Sequence, residues 1–495
     1  MTHPLPQPLD QLLTGAGLEA AAGQSVPQIA VTGVAIDSRA LEPGDLFVAL
    51  AGAGTHGLRF VDQVVAKGAC AVVHDGKGPA PAELAIPVVE VPNLRARSGA
   101  LASMVYGQPS NKINVLGVTG TNGKTSSVHF LAQALSQIGH RVGTQGTLGA
   151  GLFGELQSGE RTTPDAAQTQ RWLANMVAAG ADCVAMEVSS HALDQGRVDG
   201  MRFKLAMFTN LSRDHLDYHA SMERYFQAKA SLFSWPGLDV AVINLDDAWG
   251  RRLWDTPIAA RKISYGEHPD AQLRASDAQL GAQGMSLQIQ WQGQTRTLAL
   301  PLLGRFNLSN ALGVAAALLG LGHDLDVVVR GLAALKPVPG RMQWINGGSR
   351  GAVVVDYAHT PDALALALQA ARSHCRGCLR VVFGCGGERD QGKRAPMGEI
   401  AERLADEVIV SDDNPRGESA QTIVAEILSG CQRPESIQVI HDRGEAIAAG
   451  LAAAGADDLL LIAGKGHERT QESAGVRRAF DDVEVAREWL EQNAC

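Results

Sequence analysis

The sequence INVLGVTGTNGKT, residues 113–125, tells more about this chain than any other segment. An apolar run predicts a buried strand. Three glycines then leave no side chain where a phosphate chain must approach the backbone: Gly117, Gly120 and Gly123. Lys124 supplies a cation and Thr125 a hydroxyl for a magnesium ion, and the following residues predict a helix whose N-terminal amides favour anions. Strand, glycine-rich turn and helix in this order indicate a binding loop for a nucleoside triphosphate.

One departure from the usual phosphate-binding loop is visible in the spacing. The pattern G-x-x-x-x-G-K-[ST] requires glycine at position 118, whereas this chain has Val118 within G-x-x-G-x-x-G-K-T. A glycine-rich turn with an incidental lysine is the alternative interpretation. The predicted strand and helix on either side favour the nucleotide loop.

Length and charge bound the class of protein. A chain of 495 residues predicts about two to four domains, each large enough to bury its own core. The net charge of −9 and the pI near 5.9 argue against broad binding to nucleic acid or to a membrane surface. An anionic ligand must therefore be held by a local cluster of positive charge.

No targeting or membrane-spanning segment is evident in the sequence. The start MTHPLP lacks a basic stretch followed by an apolar core, so no secretory signal is expected. The most apolar tract, residues 446–464, is interrupted by Asp457 and Asp458, and it predicts helix, turn and strand rather than a membrane span. Seven scattered cysteines suit a reducing cytoplasm.

A partial zinc pattern is present but incomplete. The residues that resemble half a zinc site are His374, Cys375, Cys378 and Cys385. No second ligand pair of suitable spacing follows, and two of the cysteines flank a turn that leads into an apolar strand. We do not expect a structural zinc ion.

Two breaks divide the chain into three α/β segments. The stretches YGQPS, at 106–110, and KPVPG, at 336–340, combine Gly and Pro, which interrupt helices and strands alike. We therefore predict domains at 1–107, 108–337 and 338–495. Strands alternate with helices beyond the first break, which predicts largely parallel sheets covered by helices. Expected strands are 45–50, 69–73, 86–91, 183–186, 240–243, 352–355, 379–383, 407–410 and 459–463, and expected helices are 60–67, 168–179, 222–232 and 363–371.

Polar clusters follow strands of the third segment, at residues 356–359, 384–390, 412–416 and 464–468. Ligands of open parallel sheets bind outside the carboxyl ends of the strands, so these clusters predict a binding pocket, with solvated loops as the alternative. Arg389 and Arg416 favour recognition of carboxylate or phosphate, because guanidinium groups bind both bidentately; salt bridges are the alternative. A second G-x-x-x-x-G-K match, at 387–393, lacks the magnesium hydroxyl because Arg394 follows the lysine.

Candidate metal ligands lie in the middle segment. Glu187 follows a predicted strand near the phosphate loop, which suits a magnesium ligand, directly or through water. Residues 212–219 contain two His and two Asp, which indicates either a metal site or a hydrogen-bonded turn. Lys229 lies on the next predicted helix, and from the residue alone it should face solvent without a role.

Taken together, these residues resemble the Mur ligase family over residues 37–482. The motifs are specific in combination: TGTNGKT at 119–125, MEVSSH at 186–191, NLSRDHLD at 210–217, FNLSN at 306–310, PGR at 339–341, DYAH at 356–359 and DNPR at 413–416. The resemblance implies three domains: an N-terminal domain for a UDP-sugar, a central P-loop ATPase, and a C-terminal Rossmann-like domain for an incoming amino acid.

The resemblance also implies the site residues. Those for ATP are Gly120, Thr121, Asn122, Gly123, Lys124, Thr125, Asn307, Asn310, Arg341 and Asp356. Those for the UDP-muramoyl-dipeptide are Ser38, Thr55, His56, Gly57, Thr162, Thr163, Ser189, Gln195 and Arg197. Those for the amino acid are Arg389, Asp413, Asn414, Pro415, Arg416, Gly464 and Glu468. Catalysis and two magnesium ions would depend on Lys124, Thr125, Glu187, His215 and Lys229, the last as a carbamate (N6-carboxylysine), which reverses the interpretation from that residue alone.

The branch of the family is indicated by DNPR. Members that use meso-diaminopimelate end this motif in arginine, here Arg416, which binds the distal carboxylate that lysine lacks. Glu468 would face the distal ammonium, and discrimination against lysine should be large because lysine leaves arginine donors unpaired. Gln343 is a departure, since the family usually has glutamate there.

The implied activity is ATP-dependent addition of meso-2,6-diaminopimelate to UDP-N-acetylmuramoyl-L-alanyl-D-glutamate through an acyl phosphate. It would serve peptidoglycan synthesis and hence cell-wall growth, cell shape and division. We expect a cytoplasmic monomer with small-molecule substrates, no nucleic acid and no membrane insertion. The alternatives are an L-lysine-adding ligase of the same family, a ligase like folylpolyglutamate synthetase, and a nucleotide-dependent switch protein without ligase activity.

Overall fold

The computed structural model describes residues 5–52, 54–79, 84–157, 162–281 and 284–493. By their contacts the residues form two compact units. The first comprises Met1–Ala275, Gln290–Gln294 and Asn310–Gly331, and the second comprises Ser276–Ile289, Thr295–Ser309 and Leu332–Cys495. The first unit thus joins the first predicted segment to most of the middle one, and the limits at 107 and 337 stay predictions.

The start of the first unit is a parallel four-stranded sheet with the order β3-β4-β5-β6, beside the small antiparallel pair β1 and β2. The strands are β1 (Gln7–Pro8), β2 (Ala30–Val31), β3 (Gly33–Ala35), β4 (Asp45–Ala49), β5 (Ala71–His74) and β6 (Val88–Glu90). The helices are α1 (Leu9–Gly15), α2 (Val61–Ala66) and α3 (Leu94–Val105). The strands and the helix expected here are confirmed to within two residues at each end.

The rest of the first unit is built on a sheet with the order β13-β12-β11-β7-β10-β8-β9, parallel except for β8 with β9. The strands are β7 (Asn114–Thr119), β8 (Val142–Gly146), β9 (Gly149–Leu152), β10 (Cys183–Glu187), β11 (Leu205–Phe208), β12 (Val240–Asn244) and β13 (Arg261–Gly266). The helices are α4 (Lys124–Gln137), α5 (Ala166–Ala178), α6 (Ser190–Asp194), α7 (Leu216–His219), α8 (Met222–Ala230) and α9 (Ala248–Trp254).

Five further elements contribute residues to both units. They are β14 (Leu273–Gly281), β15 (Gly284–Trp291), β16 (Gln294–Leu300), α10 (Arg305–Gly320) and α11 (Leu325–Ala333).

The second unit is built on a sheet with the order β17-β18-β22-β19-β20-β21, parallel except for β17, together with the antiparallel pair β23 and β24. The strands are β17 (Gln343–Asn346), β18 (Ala352–Asp356), β19 (Leu379–Phe383), β20 (Glu407–Val410), β21 (Gln438–Val439), β22 (Leu459–Ala463), β23 (Thr470–Ser473) and β24 (Val476–Ala479). The helices are α12 (Pro361–Arg372), α13 (Arg394–Leu404), α14 (Ala420–Leu428), α15 (Arg443–Ala452) and α16 (Asp482–Gln492).

Burial and capping explain why these residues form these elements. The central strands β10, β12, β19 and β22 are buried along their whole length, as expected for apolar strands covered by helices on both faces. Some helices begin at side-chain caps: Asp165 accepts a hydrogen bond from the backbone N–H of Gln168 at 3.0 Å, and Thr360, followed by Pro361, caps α12. The predicted α/β class with largely parallel sheets is confirmed.

The apolar tract 446–464 is helix, turn and strand, as predicted, because it contains most of α15 and all of β22. None of the described helices is both long and apolar enough to cross a membrane. The imidazole of His374 is fully engaged: Nδ1 donates to the carbonyl oxygen of Gly281 at 2.7 Å, and Nε2 accepts from the N–H of Gly304 at 3.1 Å. This leaves no ring nitrogen of His374 for zinc, and within the described residues no three or more His, Cys, Asp or Glu side chains are grouped so that they could hold a metal ion.

A buried ion pair stabilises the second unit. The Nε and Nη2 atoms of Arg443 donate to the carboxylate of Asp482 at 2.7 and 2.8 Å, and both side chains are fully buried. We expect Asp482→Ala to lower the free energy of unfolding of this unit by about 3–5 kcal/mol, because it leaves a buried guanidinium without its counter-ion.

Urea denaturation followed by circular dichroism measures this effect. Arg477→Gln is the control, since it removes an exposed ion pair with Glu472, and its effect should be below about 1 kcal/mol. An unchanged denaturation midpoint for Asp482→Ala would contradict the assignment of a stabilising role to this pair.

Candidate active site

The phosphate-type loop between β7 and α4 requires its glycines. Gly120 and Gly123 have φ of 151° and 84°, which side chains rarely adopt. A Cβ atom on Gly120 would lie 1.9 Å from Thr209 Oγ1, and one on Gly123 would lie 2.3 Å from Asn310 Oδ1. The loop is therefore closely packed against its neighbours, and neither glycine could be replaced without a steric clash.

Lys124 is the first residue of α4, at the end of the loop. Its ammonium donates hydrogen bonds to the carbonyl oxygens of Gly120 and Thr121, both at 2.9 Å. The loop is further fixed by Asn122, whose N–H donates to Asn210 Oδ1 at 3.0 Å and whose carbonyl accepts from Thr209 Oγ1 at 2.6 Å. The lysine charge thus lies on the glycine-rich loop.

A buried carboxylate connects the end of this loop to the segment that follows β8. Glu187 ends β10 and is only 2 % exposed. Its Oε1 accepts from Thr125 Oγ1 at 3.0 Å and from the N–H of Thr147 at 2.8 Å, and its Oε2 accepts from Thr147 Oγ1 at 3.3 Å. Thr147 was missed from the sequence, although its position directly after β8 is a strand end of the kind that forms sites.

The residues expected to hold the muramoyl-dipeptide lie around the same strand end. Thr163 Oγ1 donates to the carbonyl of Glu187 at 2.9 Å and accepts from the N–H of Ser189 at 3.3 Å. Arg197 donates from Nη1 to the carbonyl of Thr163 at 2.9 Å and from Nε to Gln195 Oε1 at 3.0 Å. Thr162 joins the group: its hydroxyl lies 3.1 Å from that of Thr147.

Lys229 is buried, not solvent-exposed, which corrects the expectation from the residue alone. It is 1 % exposed on α8, its Nζ donates to the carbonyl of Gly120 at 2.8 Å, and it lies 4.6 Å from the ring centroid of Tyr225. Burial, assisted by the charge of Lys124, lowers the pKa of Lys229 well below its usual value. The side chain thus reaches the phosphate-type loop as an amine that readily loses its proton.

His215 belongs to an aromatic and imidazole cluster above the loop. Its backbone has φ of 52°, and its ring lies 4.8 Å from that of His191 and 6.1 Å from that of Tyr225. Asp214 Oδ2 lies 3.4 Å from its Nε2. Within the described residues His215 makes no hydrogen bond to Glu187 or to Thr125. The side chain of Asp217 lies outside the described part of the chain.

Three of the candidate uridine residues follow β4, and Ser38 lies between β3 and β4. His56 Nε2 donates to Asp75 Oδ1 at 2.8 Å and its Nδ1 accepts from the N–H of Leu58 at 3.1 Å, so the ring is fixed at both nitrogens. A Cβ atom on Gly57 would lie 2.8 Å from the Cα of Ala49, which explains the glycine. The carbonyl of Thr55 accepts from Gly52 N–H at 2.7 Å. The buried hydroxyl of Ser38 bonds Gln63 Oε1 at 3.2 Å.

In the second unit, Asn414 is the centre of the candidate amino-acid pocket. Its Nδ2 donates to Glu468 Oε2 at 2.9 Å, and its Oδ1 accepts from Lys465 Nζ at 3.2 Å and from Glu472 N–H at 3.0 Å. Lys465 is fully buried, and its Nζ also lies 3.6 Å from Asp413 Oδ1. Lys465 was missed from the sequence although it lies within the polar cluster 464–468.

Two arginine side chains lie beside one glycine of this candidate pocket. A Cβ atom on Gly386 would lie 3.0 Å from Arg416 Nη1 and 3.8 Å from Arg389 Cγ. Arg416 has φ of 53°, donates from Nη1 to the carbonyl of Gly387 at 2.7 Å, and bonds Glu472 through its backbone N–H at 3.0 Å. Pro415 precedes it. Gly464 lies across the pocket, where a Cβ atom would be 3.8 Å from Asp413 Oδ2.

Arg341 and Asp356 lie together beside an aromatic group in the second unit. The Arg341 guanidinium lies 4.5 Å from the ring centroid of Tyr357, and Asp356 accepts from the N–H of Met342 at 2.7 Å. Burial raises the pKa of Asp356, although the Arg341 charge opposes this. Gln343 Oε1 accepts from the N–H of Gly340 at 2.8 Å, a role that needs only one oxygen acceptor and explains why an amide serves there.

Asn307 and Asn310 lie on α10. Asn307 Nδ2 donates to the carbonyl of Leu303 at 2.9 Å, and Asn310 lies against the phosphate-type loop at Gly123.

The strands, the glycine-rich loop and the buried polar groups at strand ends define a P-loop α/β enzyme. Three protein-family models match the chain: "Mur ligase family, catalytic domain" over residues 30–106, "Mur ligase middle domain" over 118–318, and "Mur ligase, glutamate ligase domain" over 340–466.

Similar proteins agree with these matches. The UDP-N-acetylmuramoyl-L-alanyl-D-glutamate--2,6-diaminopimelate ligase of Xanthomonas oryzae is 51 % identical over 483 residues, which cover 95 % of this chain and 97 % of that protein. A solved structure with the same enzyme name has a TM-score of 0.72 and 34 % identity, and covers 99 % of this chain and all of that one.

A folylpolyglutamate synthase of Mycobacterium tuberculosis shares the fold, with a TM-score of 0.60, 20 % identity, and coverage of 73 % of this chain and 91 % of that chain. At this identity the likeness shows the fold alone. The chain belongs to the Mur ligase family, and it is an ATP-dependent, amide-bond-forming ligase that acts on small molecules.

The site allows a test by titration. Burial and the charge of Arg341 lower the pKa of His467 to about 4, and its ring lies 5.0 Å from that of Tyr357. A lowered imidazole pKa means that the folded state favours the neutral ring, so His467 should stay neutral from pH 8 down to about 5. The stability that this gives is present above the unfolded pKa and is lost as the pH falls toward 4.

NMR titration of the imidazole protons measures this midpoint, and the spectrum of His467→Gln assigns the signal. A midpoint at or above the ordinary histidine value would contradict the buried, Arg341-facing position of this ring.

Proposed function

We propose that this ligase adds meso-2,6-diaminopimelate to UDP-N-acetylmuramoyl-L-alanyl-D-glutamate. The observation that carries the proposal is the pocket around Asn414 and Gly386. The side chains of two arginines, Arg389 and Arg416, lie beside Gly386, and the carboxylate of Glu468 accepts a hydrogen bond from Asn414 at 2.9 Å. Diaminopimelate has two carboxylates and a distal ammonium, whereas lysine has one carboxylate, so this charge pattern fits the former. The named activity of the 51 % identical relative supports the same substrate.

The remaining substrate groups have candidate partners in the first unit. We assign the uridine diphosphate to the segment that contains Ser38, Thr55, His56 and Gly57. We assign the muramoyl-dipeptide to the group at the end of β10: Thr162, Thr163, Ser189, Gln195 and Arg197. The hydrogen bonds among Thr163, Ser189 and Arg197 support the second assignment, because they hold these side chains at one strand end beside the phosphate-type loop.

ATP is assigned to residues 120–125 and Asn310 in the first unit, and the roles of Asn307, Arg341 and Asp356 stay predictions from the family resemblance. Magnesium fits the donor set, because the Thr125 hydroxyl and the Glu187 carboxylate are hard oxygen donors 3.0 Å apart. With His215 and a carbamate on Lys229 they would hold Mg²⁺, whose charge neutralises the negative charge that develops on the transferred phosphoryl group.

The reaction then proceeds in two steps. An oxygen of the D-glutamate γ-carboxylate attacks the γ-phosphorus of ATP, the bond to the β-γ bridging oxygen breaks, and ADP leaves. The Lys124 ammonium would stabilise the negative charge that develops during this phosphoryl transfer. The amine of diaminopimelate next attacks the acyl-phosphate carbon, and inorganic phosphate leaves with the formation of the amide. We place the reaction in the cytoplasm, in a monomer, in peptidoglycan precursor synthesis.

Phosphate release from ATP tests the substrate assignment. The wild-type protein, given UDP-N-acetylmuramoyl-L-alanyl-D-glutamate, should release phosphate with meso-diaminopimelate and not with L-lysine. Arg416→Met should lower kcat/KM for diaminopimelate by about 100-fold, since it removes a guanidinium–carboxylate pair, with the KM for ATP unchanged.

Arg433→Met is the matched control, because Arg433 is 72 % exposed and lies 3.7 Å from Glu402 in the same unit. Activity with lysine alone would leave the ligase class intact and refute the diaminopimelate pocket. An unchanged kcat/KM in Arg416→Met would refute the role of that arginine.

The carbamate on Lys229 is tested separately. Protein equilibrated with isotope-labelled bicarbonate should give a carbamate signal by NMR that Lys229→Ala lacks and that Lys204→Ala, on the surface, retains. Lys229→Ala should lower kcat by at least about 100-fold, because a magnesium ligand is removed. Full activity of Lys229→Ala, or a signal that survives in it, would exclude the modification at this residue.

A further inference from the structure

Arg171 links two segments that different family models match. It lies on α5, within residues 118–318, and its side chain extends to residues 30–106. There Nη2 pairs with Asp45, Nη1 lies 3.1 Å from Glu42 Oε1, and Nε donates to Tyr106 Oη at 2.7 Å. One guanidinium thus engages two carboxylates and a phenol of the other segment.

These contacts are buried and closely packed. The side chain of Asp45 is 1 % exposed and that of Arg171 is 17 % exposed. A Cβ atom on Gly33 would lie 2.1 Å from Asp45 Oδ1 and 3.3 Å from Arg171 Nη2, so the residue at position 33 must be glycine for the pair to fit. Buried Ala167, also on α5, belongs to the same apolar core as Leu13 and Leu101 of the N-terminal part. The ion pair is therefore part of a packed interior within the first unit.

A second close approach joins the same two segments. A Cβ atom on Gly200 would lie 2.6 Å from the carbonyl oxygen of Gly99, on α3, and one on Gly99 would lie 2.3 Å from the carbonyl oxygen of Asp199. Backbones touch here because both residues lack side chains. The turn that contains Gly200 follows Gln195 and Arg197 directly. This contact between Gly99 and the turn at Gly200 is thus adjacent in the chain to the candidate dipeptide residues.

The residues that Arg171 contacts are also close in the chain to the candidate uridine residue Ser38. Strand β3 ends two residues before Asp37, and a cleft of about 200 Å³ beside Arg171 is lined by Asp37 and Glu42 on one side and by Gln168 and Trp172 on the other. Helix α5, which carries Arg171, begins at Ala166, three residues after Thr163. Arg171 therefore lies on a helix that follows the candidate dipeptide residues in the chain, and it contacts Glu42 and Asp45 in the segment that follows Ser38.

We propose that Arg171 is a positioning residue that fixes the distance between the uridine subsite and the dipeptide subsite. This inference rests on the proposed function, in which one substrate molecule occupies both subsites. Once one end of such a substrate is bound, the other end is held near its own subsite at a high effective concentration. This gain in affinity is lost when the distance between the two subsites varies. Arg171 itself touches no reacting atom.

Steady-state kinetics test the proposal with Arg171→Met, which removes the charge and keeps most of the apolar stem. The KM for UDP-N-acetylmuramoyl-L-alanyl-D-glutamate should rise about tenfold. The KM for ATP, the kcat and the inhibition constant of UDP alone should change less than about twofold, because each depends on one subsite. Loss of a residue with a merely structural role would not raise the KM for the UDP-substrate while it left the other three constants unchanged.

Two further variants keep the test decisive. Arg171→Met/Asp45→Asn avoids an unpaired buried carboxylate and should show the same rise in KM if the single variant does not fold. Lys204→Met is the matched control: it breaks an exposed ion pair with Asp239, 41 % and 40 % exposed, and should leave every constant unchanged.

The outcomes are distinguishable. An unchanged KM for the UDP-substrate in a folded variant would overturn the inference alone. A rise in the inhibition constant of UDP parallel to that KM would also overturn it, since Arg171 would then shape only the uridine subsite. No turnover by the wild-type protein would overturn the proposed function and this inference with it.

Discussion

The candidate site of the first unit depends on the hydrogen bonds that the carboxylate of Glu187 accepts. This carboxylate lies at the end of a fully buried strand and accepts hydrogen bonds from the phosphate-type loop and from Thr147 after β8. Its backbone carbonyl holds Thr163 in addition. Loops from three strands are thereby held at one edge of a parallel sheet. A buried carboxylate is costly unless it is fully hydrogen-bonded, so these donors are a condition of its being there.

The buried cationic side chains of the two units have different hydrogen-bond partners. In the second unit, Lys465 and Arg443 are fully buried beside carboxylates, Glu468 and Asp413 for the first and Asp482 for the second. In the first unit, Lys229 donates a hydrogen bond to a backbone carbonyl, and burial lowers its pKa. The paired groups support structure and a binding pocket, whereas an amine that readily loses its proton is the form that reacts with carbon dioxide. This difference is consistent with the modification proposed for Lys229.

A substrate that extends from a nucleotide to a peptide carboxylate needs subsites at a constant distance. Within the first unit we attribute this constancy to tight packing, at Gly99 and Gly200, and to the Arg171 ion pairs. Packed interiors deform little, so they keep the spacing of the elements that they join. The pocket proposed for the amino acid is built from strand-end loops of the second unit alone, which separates the choice of amino acid from the binding of the nucleotide sugar.

The local pattern of the sequence determined the α/β class, the positions of several central strands and the phosphate-type loop, because apolar runs and glycine spacing act over a few neighbouring residues. It also placed the polar clusters at strand ends, since a parallel sheet brings those ends to one edge. The motif resemblance added the family. The tertiary structure alone decided the burial of Lys229, the role of Thr147 beside Glu187, the saturation of His374, and the reach of Arg171 to Asp45. Each of these depends on contacts between residues that are distant in the chain, and such contacts leave no periodic or local signal from which a single sequence could predict them.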